Sequence, residues 1–312
     1  SLEAGPSVAT IFTQRSRLIS RSSFGSGVIS RVDMEIMLTL TIAAAYCAFH
    51  IARQLPYCYA KLGNRIVTYQ PFFEYGQTRK SRWTVTADHA ANMVPDFVNG
   101  GDLGISAADM ARHIAFDIGA EGLARALGEL LDGPVICSNF SRLVIDPNRG
   151  SDDPTLLMKL YDGTIIPANR HAGPSELELR MEACYRPYHA ALHTMMTRRA
   201  DPVLLSIHSF TPQLKGRPPR PWEVGVLYAD DDRLAKALLE VLSAEPDLTI
   251  GDNEPYIGHL PGDAVDTHAL KHGHLNVLIE LRNDLIETEA QQRAWAERLA
   301  PILEKALDKV VI

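Results

Sequence analysis

The chain has 312 residues, of which 46% are hydrophobic and 22% charged; this is the balance of a globular protein that can bury a substantial core as one large domain or two ordinary ones. Its net charge of −7 is spread without a basic stripe, which excludes nucleic acid as an expected partner. Four widely spaced cysteines, Cys47, Cys58, Cys137 and Cys184, form no CxxC pair, so neither a disulfide framework nor a cysteine zinc knuckle is expected, and a reducing, cytoplasmic setting is.

Residues 1–33 are rich in Ser and Arg (Arg15, Arg17, Arg21, Arg31) and keep no period of 2 or 3.6. They are expected to be a disordered or leader segment, with Met34 as a plausible start. Residues 34–68 read as an apolar helix and linker. The uncharged stretch 36–52 sits at the short end for a membrane span, and Arg31, Arg53 and Lys61 around it give no positive-inside bias. A helix packed on the domain surface is the expectation, and a membrane anchor the alternative.

Residues 69–312 read as one catalytic-size domain. Trp83-Thr84-Val85-Thr86 is β-branched and aromatic, as a half-buried strand requires. It stops at Asp88-His89, two residues able to bind a metal or move a proton. A helix is predicted over 106–131, capped by Ser106 with Asp109 as its box partner. Residues 134–145 contain two strand-like pieces and end in Asp146-Pro147-Asn148-Arg149. The loop 150–173 is long for a compact domain, as functional covers often are. A charged helix over 176–199 is predicted to be interrupted at Pro187. The apolar run 202–207 reads as a strand buried on both faces, ending in His208-Ser209. Further strands at 224–228 and 276–281, the latter ending in Glu280-Leu281-Arg282, alternate with helices at 231–244 and 291–310. Such alternation implies a largely parallel sheet with helices on both faces.

His89, His208 and Glu280 each fall at or near the end of a separate strand, and Asp146 to Arg149 follows another. Parallel strands bring their carboxyl ends to one edge, so these groups can share a cleft. Two imidazoles and a carboxylate make a ligand set for catalytic zinc with one position left for water. Each histidine taken alone is equally a hydrogen-bonded core residue.

The segments DHAANMVP, HIAFDIGA, SRLVIDPNR, DGTIIPANR, IHSFTP, RPWEVGVLY, GDNEPY and LIELRNDLI occur in this order, and together they resemble the N-formylglutamate amidohydrolase family. The resemblance implies an α/β three-layer sandwich with a mostly parallel mixed sheet, zinc-exopeptidase-like. It also implies hydrolysis of a non-peptide amide bond in a small N-acyl amino acid, with one zinc per chain. His89 and His208 match the two metal histidines. The related carboxypeptidase pattern has a Glu three residues after its first His, where this chain has Asn92, so the middle ligand falls to Asp117, with Asp88 as runner-up. Glu280 matches the general base. Asn148 and Arg149 match the pair that receives a substrate carboxylate, for which a planar guanidinium fork is suited; the other reading of Arg149 is an ion pair with Asp146. Arg142 and Arg282 are further candidates for the same pocket, and His113 is a candidate for orienting Asp117. Two alternatives accompany this reading: a zinc carboxypeptidase or other N-acyl amino-acid deacylase, and a non-catalytic binding module of the same fold. The oligomeric state is left open.

Overall fold

The computed structural model describes residues 58–62, 65–258 and 260–310, so the expected leader at 1–33 and the apolar stretch 36–52 lie outside the described residues. Strands β1 (Cys58–Leu62) and β2 (Arg65–Tyr69) pair antiparallel as a separate ribbon. The main sheet uses β3 (Phe72–Tyr75), β4 (Trp83–Ala87) and β5 (Val135–Ser138). After a small hairpin of β6 (Leu160–Tyr161) and β7 (Thr164–Ile165), it adds β8 (Val203–Phe210), β9 (Val224–Leu227), β10 (Ile250–Asp252) and β11 (Leu275–Arg282). Its order is β10-β9-β11-β8-β4-β5-β3. The pairings β10·β9, β11·β8, β8·β4 and β4·β5 are parallel, while β9·β11 and β5·β3 are antiparallel. The expected mostly parallel, mixed sheet is therefore what forms.

Register divides the sheet into two chemically different faces, because successive side chains point to opposite sides. Val85, Leu205 and Val277 lie on one face, packed under Leu123 and Leu127 of α2 (Ala120–Leu130), Leu234 and Leu238 of α6 (Arg233–Leu242), and Leu299 and Leu303 of α8 (Glu289–Val310). The opposite face pairs Thr86 with Ser206, and Ser206 with Leu278. There Tyr188, Leu192 and Met196 of α5 (Arg186–Thr197) and Val265 of α7 (Ala264–His268) cover Ile136, Leu204 and Leu278. Each leucine fully buried on the apolar face contributes roughly 1.5–3 kcal/mol, which offsets the cost of carboxylates buried along the other. Among the described residues no helix is long and apolar enough to cross a membrane.

Three local expectations are corrected. The predicted helix over 106–131 is broken: Ser106 does cap a short helix, α1 (Ala107–Met110), accepting from Asp109 N, but turns follow until α2 begins at Ala120. Tertiary hydrogen bonds override the helical spacing here, since Asp117 N donates to His89 O at 2.9 Å and Arg142 N to Ala115 O at 3.2 Å. Gly119 completes the break at φ 79°, where an added Cβ would sit 2.2 Å from Ile286 O, a conformation and a space suited to glycine. The second strand-like piece in 134–145 is a series of buried turns, not a strand. Pro187 does not interrupt its helix. α4 (Pro174–Arg180) passes through a π-helical turn, Met181–Tyr185, into α5, and Pro187 takes the first turn, where its missing N–H matters least. The long loop carries the β6–β7 hairpin and the short helix α3 (Pro167–Arg170).

Candidate metal centre and active site

Register also builds the site. One step beyond the Thr86–Ser206–Leu278 row, His208 on β8 lies directly opposite Glu280 on β11, and Glu280 opposite Gly225 on β9. A Cβ at Gly225 would come within 2.3 Å of Glu254 O, so the glycine admits the loop that follows β10 to the wall of the cleft. Asp88 and His89 follow β4 directly, and Asp117 is delivered by the turn that Gly119 ends.

His208 Nδ1 lies 2.7 Å from Asp117 Oδ2, and His89 Nδ1 lies 3.3 Å from the same oxygen. One ligand atom from each of the three residues fits within 4.8 Å, and all three are buried. The far nitrogens are also held. His89 Nε2 is 2.7 Å from Asp146 Oδ1, and His208 Nε2 is 3.1 Å from Ser206 Oγ and 3.5 Å from Asp88 Oδ2. Asp88 in turn accepts hydrogen bonds from the Tyr188 hydroxyl and from Ser206 Oγ. The hydrogen bonds at each Nε2 leave both Nδ1 atoms facing Asp117, where a bound ion would replace the shared proton, which is how metal-binding imidazoles are usually oriented. Asp88 is thus placed behind His208 and Asp117 between the two imidazoles, while Asn92 turns away to donate to Met110 O.

The donor set fits a cation. Four carboxylates, Asp88, Asp117, Asp146 and Glu280, are buried here beside a single comparably buried guanidinium, Arg142. Burial alone raises the cost of ionising Asp117, but the His89 charge and the His208 hydrogen bond outweigh it and hold its pKa well below the usual carboxylate range. Burial works against a charged His208 too, yet the hydrogen bonds it donates to Asp117 and Asp88 carry its pKa up to about 10. A proton therefore occupies the place that a divalent ion would take. Glu280 is pushed up to about 8, by burial first, with the His208 charge opposing and Asp117 reinforcing it; its Oε2 has no hydrogen-bond partner among the described residues.

His89, Asp117, His208 and Glu280 line a cavity of about 210 Å³ with Asn148, Arg149, Arg142, His113, Tyr161 and Tyr256. Arg142 pairs with Asp146 at 2.8 Å and approaches Asp117 at 3.5 Å, so the ion pair considered for Arg149 belongs to Arg142. Arg149 is braced by Thr155 Oγ1 and Asn148 O instead. Arg282 lies elsewhere, paired with Glu223 and Asp284, because as the last residue of β11 it lies beyond the row that faces the cavity. His113 faces Asp162 at 3.6 Å and does not orient Asp117. Sequence reasoning missed Tyr161, whose ring lies 5.5 Å from the Arg142 guanidinium, and the stacked pair of Arg220 and Tyr256 at 5.0 Å. It also missed the partners of the two imidazoles. The GDNEPY segment was the available signal for Tyr256.

Residues 81–287 match the model of the N-formylglutamate amidohydrolase family. Among solved structures, a gene product of Agrobacterium tumefaciens is similar at 34% identity and a TM-score of 0.73, covering 78% of this chain and 96% of its own. The N-formylglutamate amidohydrolase of Ralstonia eutropha JMP134 shares the fold at 22% identity and a TM-score of 0.59, over 77% of this chain and 99% of its own. No curated protein matched the chain.

Proposed function

Because the chain belongs to the N-formylglutamate amidohydrolase family and is an amidohydrolase, we propose that it is a metal-dependent one, with a single zinc ion held by His89, Asp117 and His208, acting on a small N-acyl amino acid of the N-formylglutamate kind. The observation that carries this reading is the convergence of two oriented Nδ1 atoms on a buried carboxylate, with Glu280 directly opposite His208 in the sheet.

A zinc ion bound there supplies Lewis acidity towards a water and towards the acyl oxygen. Glu280 takes one proton from the attacking water as the new carbon–oxygen bond forms, then returns it to the leaving nitrogen as the carbon–nitrogen bond breaks. Arg142, held by Asp146, offers fixed positive charge to the oxygen that becomes anionic. Arg149 and Asn148 receive the amino-acid carboxylate, which sets the acyl group's orientation through one charge pairing. Burial of the whole row keeps bulk water from competing for these charges.

The test is metal analysis of the purified protein together with assays of a panel of N-acyl amino acids before and after chelation. Loss of hydrolysis on chelation and its return with zinc is expected. Unchanged hydrolysis in metal-stripped protein would overturn the metal dependence, and a preference for peptides would overturn the substrate class.

A further inference from the structure

Five histidines gather on the far side of the sheet's polar face, outside the cavity. His189 and His193 stand one helical turn apart on α5, and His268 and His272 are spaced likewise from the end of α7 into the 3-10 turn Leu270–His272. His274 stacks on His272, with ring centroids 5.7 Å apart.

The hydrogen bonds fix which nitrogens carry protons. His189 Nε2 lies 3.0 Å from Pro147 O, a carbonyl that can only accept, so Nε2 carries the hydrogen. A neutral His189 ring then has Nδ1 as an acceptor. That Nδ1 is 2.9 Å from His268 Nε2, so His268 must donate from Nε2. Its own Nδ1 is then a bare lone pair. His268 is 4% exposed, and among the described residues no group donates to this Nδ1. A buried acceptor without a partner ordinarily costs about 1–3 kcal/mol.

The ring of His193 lies 6.4 Å from that of His268, and the ring of His272 lies 6.3 Å from that of His193. With zinc–nitrogen bonds of about 2.0–2.1 Å, two imidazoles on one ion have centroids about 5–6 Å apart. The three rings do not yet bring their nitrogens within binding distance of one ion, and His193 and His272, both exposed, would turn toward His268 to do so. We propose that His193, His268 and His272 form a second site for a borderline transition-metal ion such as Zn²⁺, clamping α5 to the α7 turn. An all-imidazole set selects such ions over magnesium or calcium, and the Pro147–His189–His268 chain supplies the orientation that metal-bound histidines need.

The probe is zinc alone, by equilibrium dialysis and elemental analysis of the full chain after chelator treatment. The parent is expected to bind two equivalents. His193→Ala/His272→Ala should lose one and keep its activity, while His208→Ala should lose the other and keep this one. A parent that binds a single equivalent, lost with the double variant but retained by His208→Ala, would uphold this site and overturn the catalytic metal centre. Equal zinc content in parent and double variant would overturn the proposal. As a check on the ligands, Cu²⁺ bound to His208→Ala should show nitrogen splittings in its electron paramagnetic resonance spectrum. Their persistence in His208→Ala combined with the double variant would equally overturn it.

Discussion

Replacing Glu280 with Gln should damage catalysis and strengthen the metal-free fold at once. In the metal-free site burial carries this carboxyl from an ordinary 4.5 to about 8. Each tenfold displacement of a proton equilibrium is about 1.4 kcal/mol, so ionising Glu280 in the fold costs at most about 5 kcal/mol. This is an upper bound, because relaxation and water penetration around the ionised group reduce the penalty, and we expect about 2 kcal/mol. The sign follows from the raised pKa. Between pH 4.5 and 8 the folded state binds more protons than the unfolded chain, so the parent loses stability as pH rises through that window. Gln cannot ionise, and it is nearly isosteric. The melting temperature of metal-free Glu280→Gln should therefore exceed the parent's by about 4–8 °C at pH 9, with the difference shrinking at pH 5 and shrinking again when zinc is added. The same variant should retain its metal while kcat falls by roughly 10²–10⁴-fold, the usual share of a positioned base. Thermal melts of both proteins at the two pH values, with and without zinc, test the argument. A melting difference independent of pH, or one favouring the parent at pH 9, would refute it. Zinc lost from Glu280→Gln would make Glu280 a ligand instead of a base.

Further expectations follow from the same geometry. His208→Ala should abolish zinc binding at the catalytic centre, and Asp117→Asn should weaken it, because a neutral amide donates less charge than a carboxylate; metal content after dialysis reads both. Zinc affinity should rise with pH between 6 and 8, since a proton held to about 10 on His208 must be displaced by the ion. An affinity that is flat over that range, in a competition titration, would remove His208 from the ligand set. Asp146→Asn should lower zinc affinity or activity by roughly 10–100-fold through the lost orientation of His89, although Asp146 does not itself reach the ion position. Arg149→Lys should raise KM about tenfold or more with kcat less affected, because a point charge cannot hold a carboxylate with two parallel bonds; kinetics with N-acyl amino acids against their amides separates that from a folding defect.

The parts of this molecule that could be read from its sequence are those governed by local periodicity. Apolar runs located β4, β8 and β11, and the polar residues closing them located His89, His208 and Glu280. Spacing failed at 106–131, where the apolar pattern is genuinely helical but the backbone of Ala115 and Asp117 bonds across to Arg142 and His89. Nothing within that window announces such a bond, beyond a glycine at 119 that a helix prediction tolerates. Arg282 and Arg149 show the complementary limit. Arg282 closes β11 while Arg149 sits in the turns beyond β5, and only the tertiary fold brings the second to the cavity and pairs the first with Glu223.

The outer partners were the least legible, and the reason bears on how the site works. Asp146 reaches His89 across 57 positions and Tyr188 reaches Asp88 across 100, so neither contact leaves a local trace. Yet without them the imidazoles have no fixed tautomer, and the lone pairs have no fixed direction. The departure from the carboxypeptidase pattern at Asn92 is explained on the same ground. A glutamate three residues after His89 could supply a ligand from the same loop. Here the carboxylate comes from a turn held to that loop by a backbone bond, Asp117 N to His89 O at 2.9 Å. The bond that breaks the predicted helix is thus the one that sets the Asp117 carboxylate opposite the two histidines.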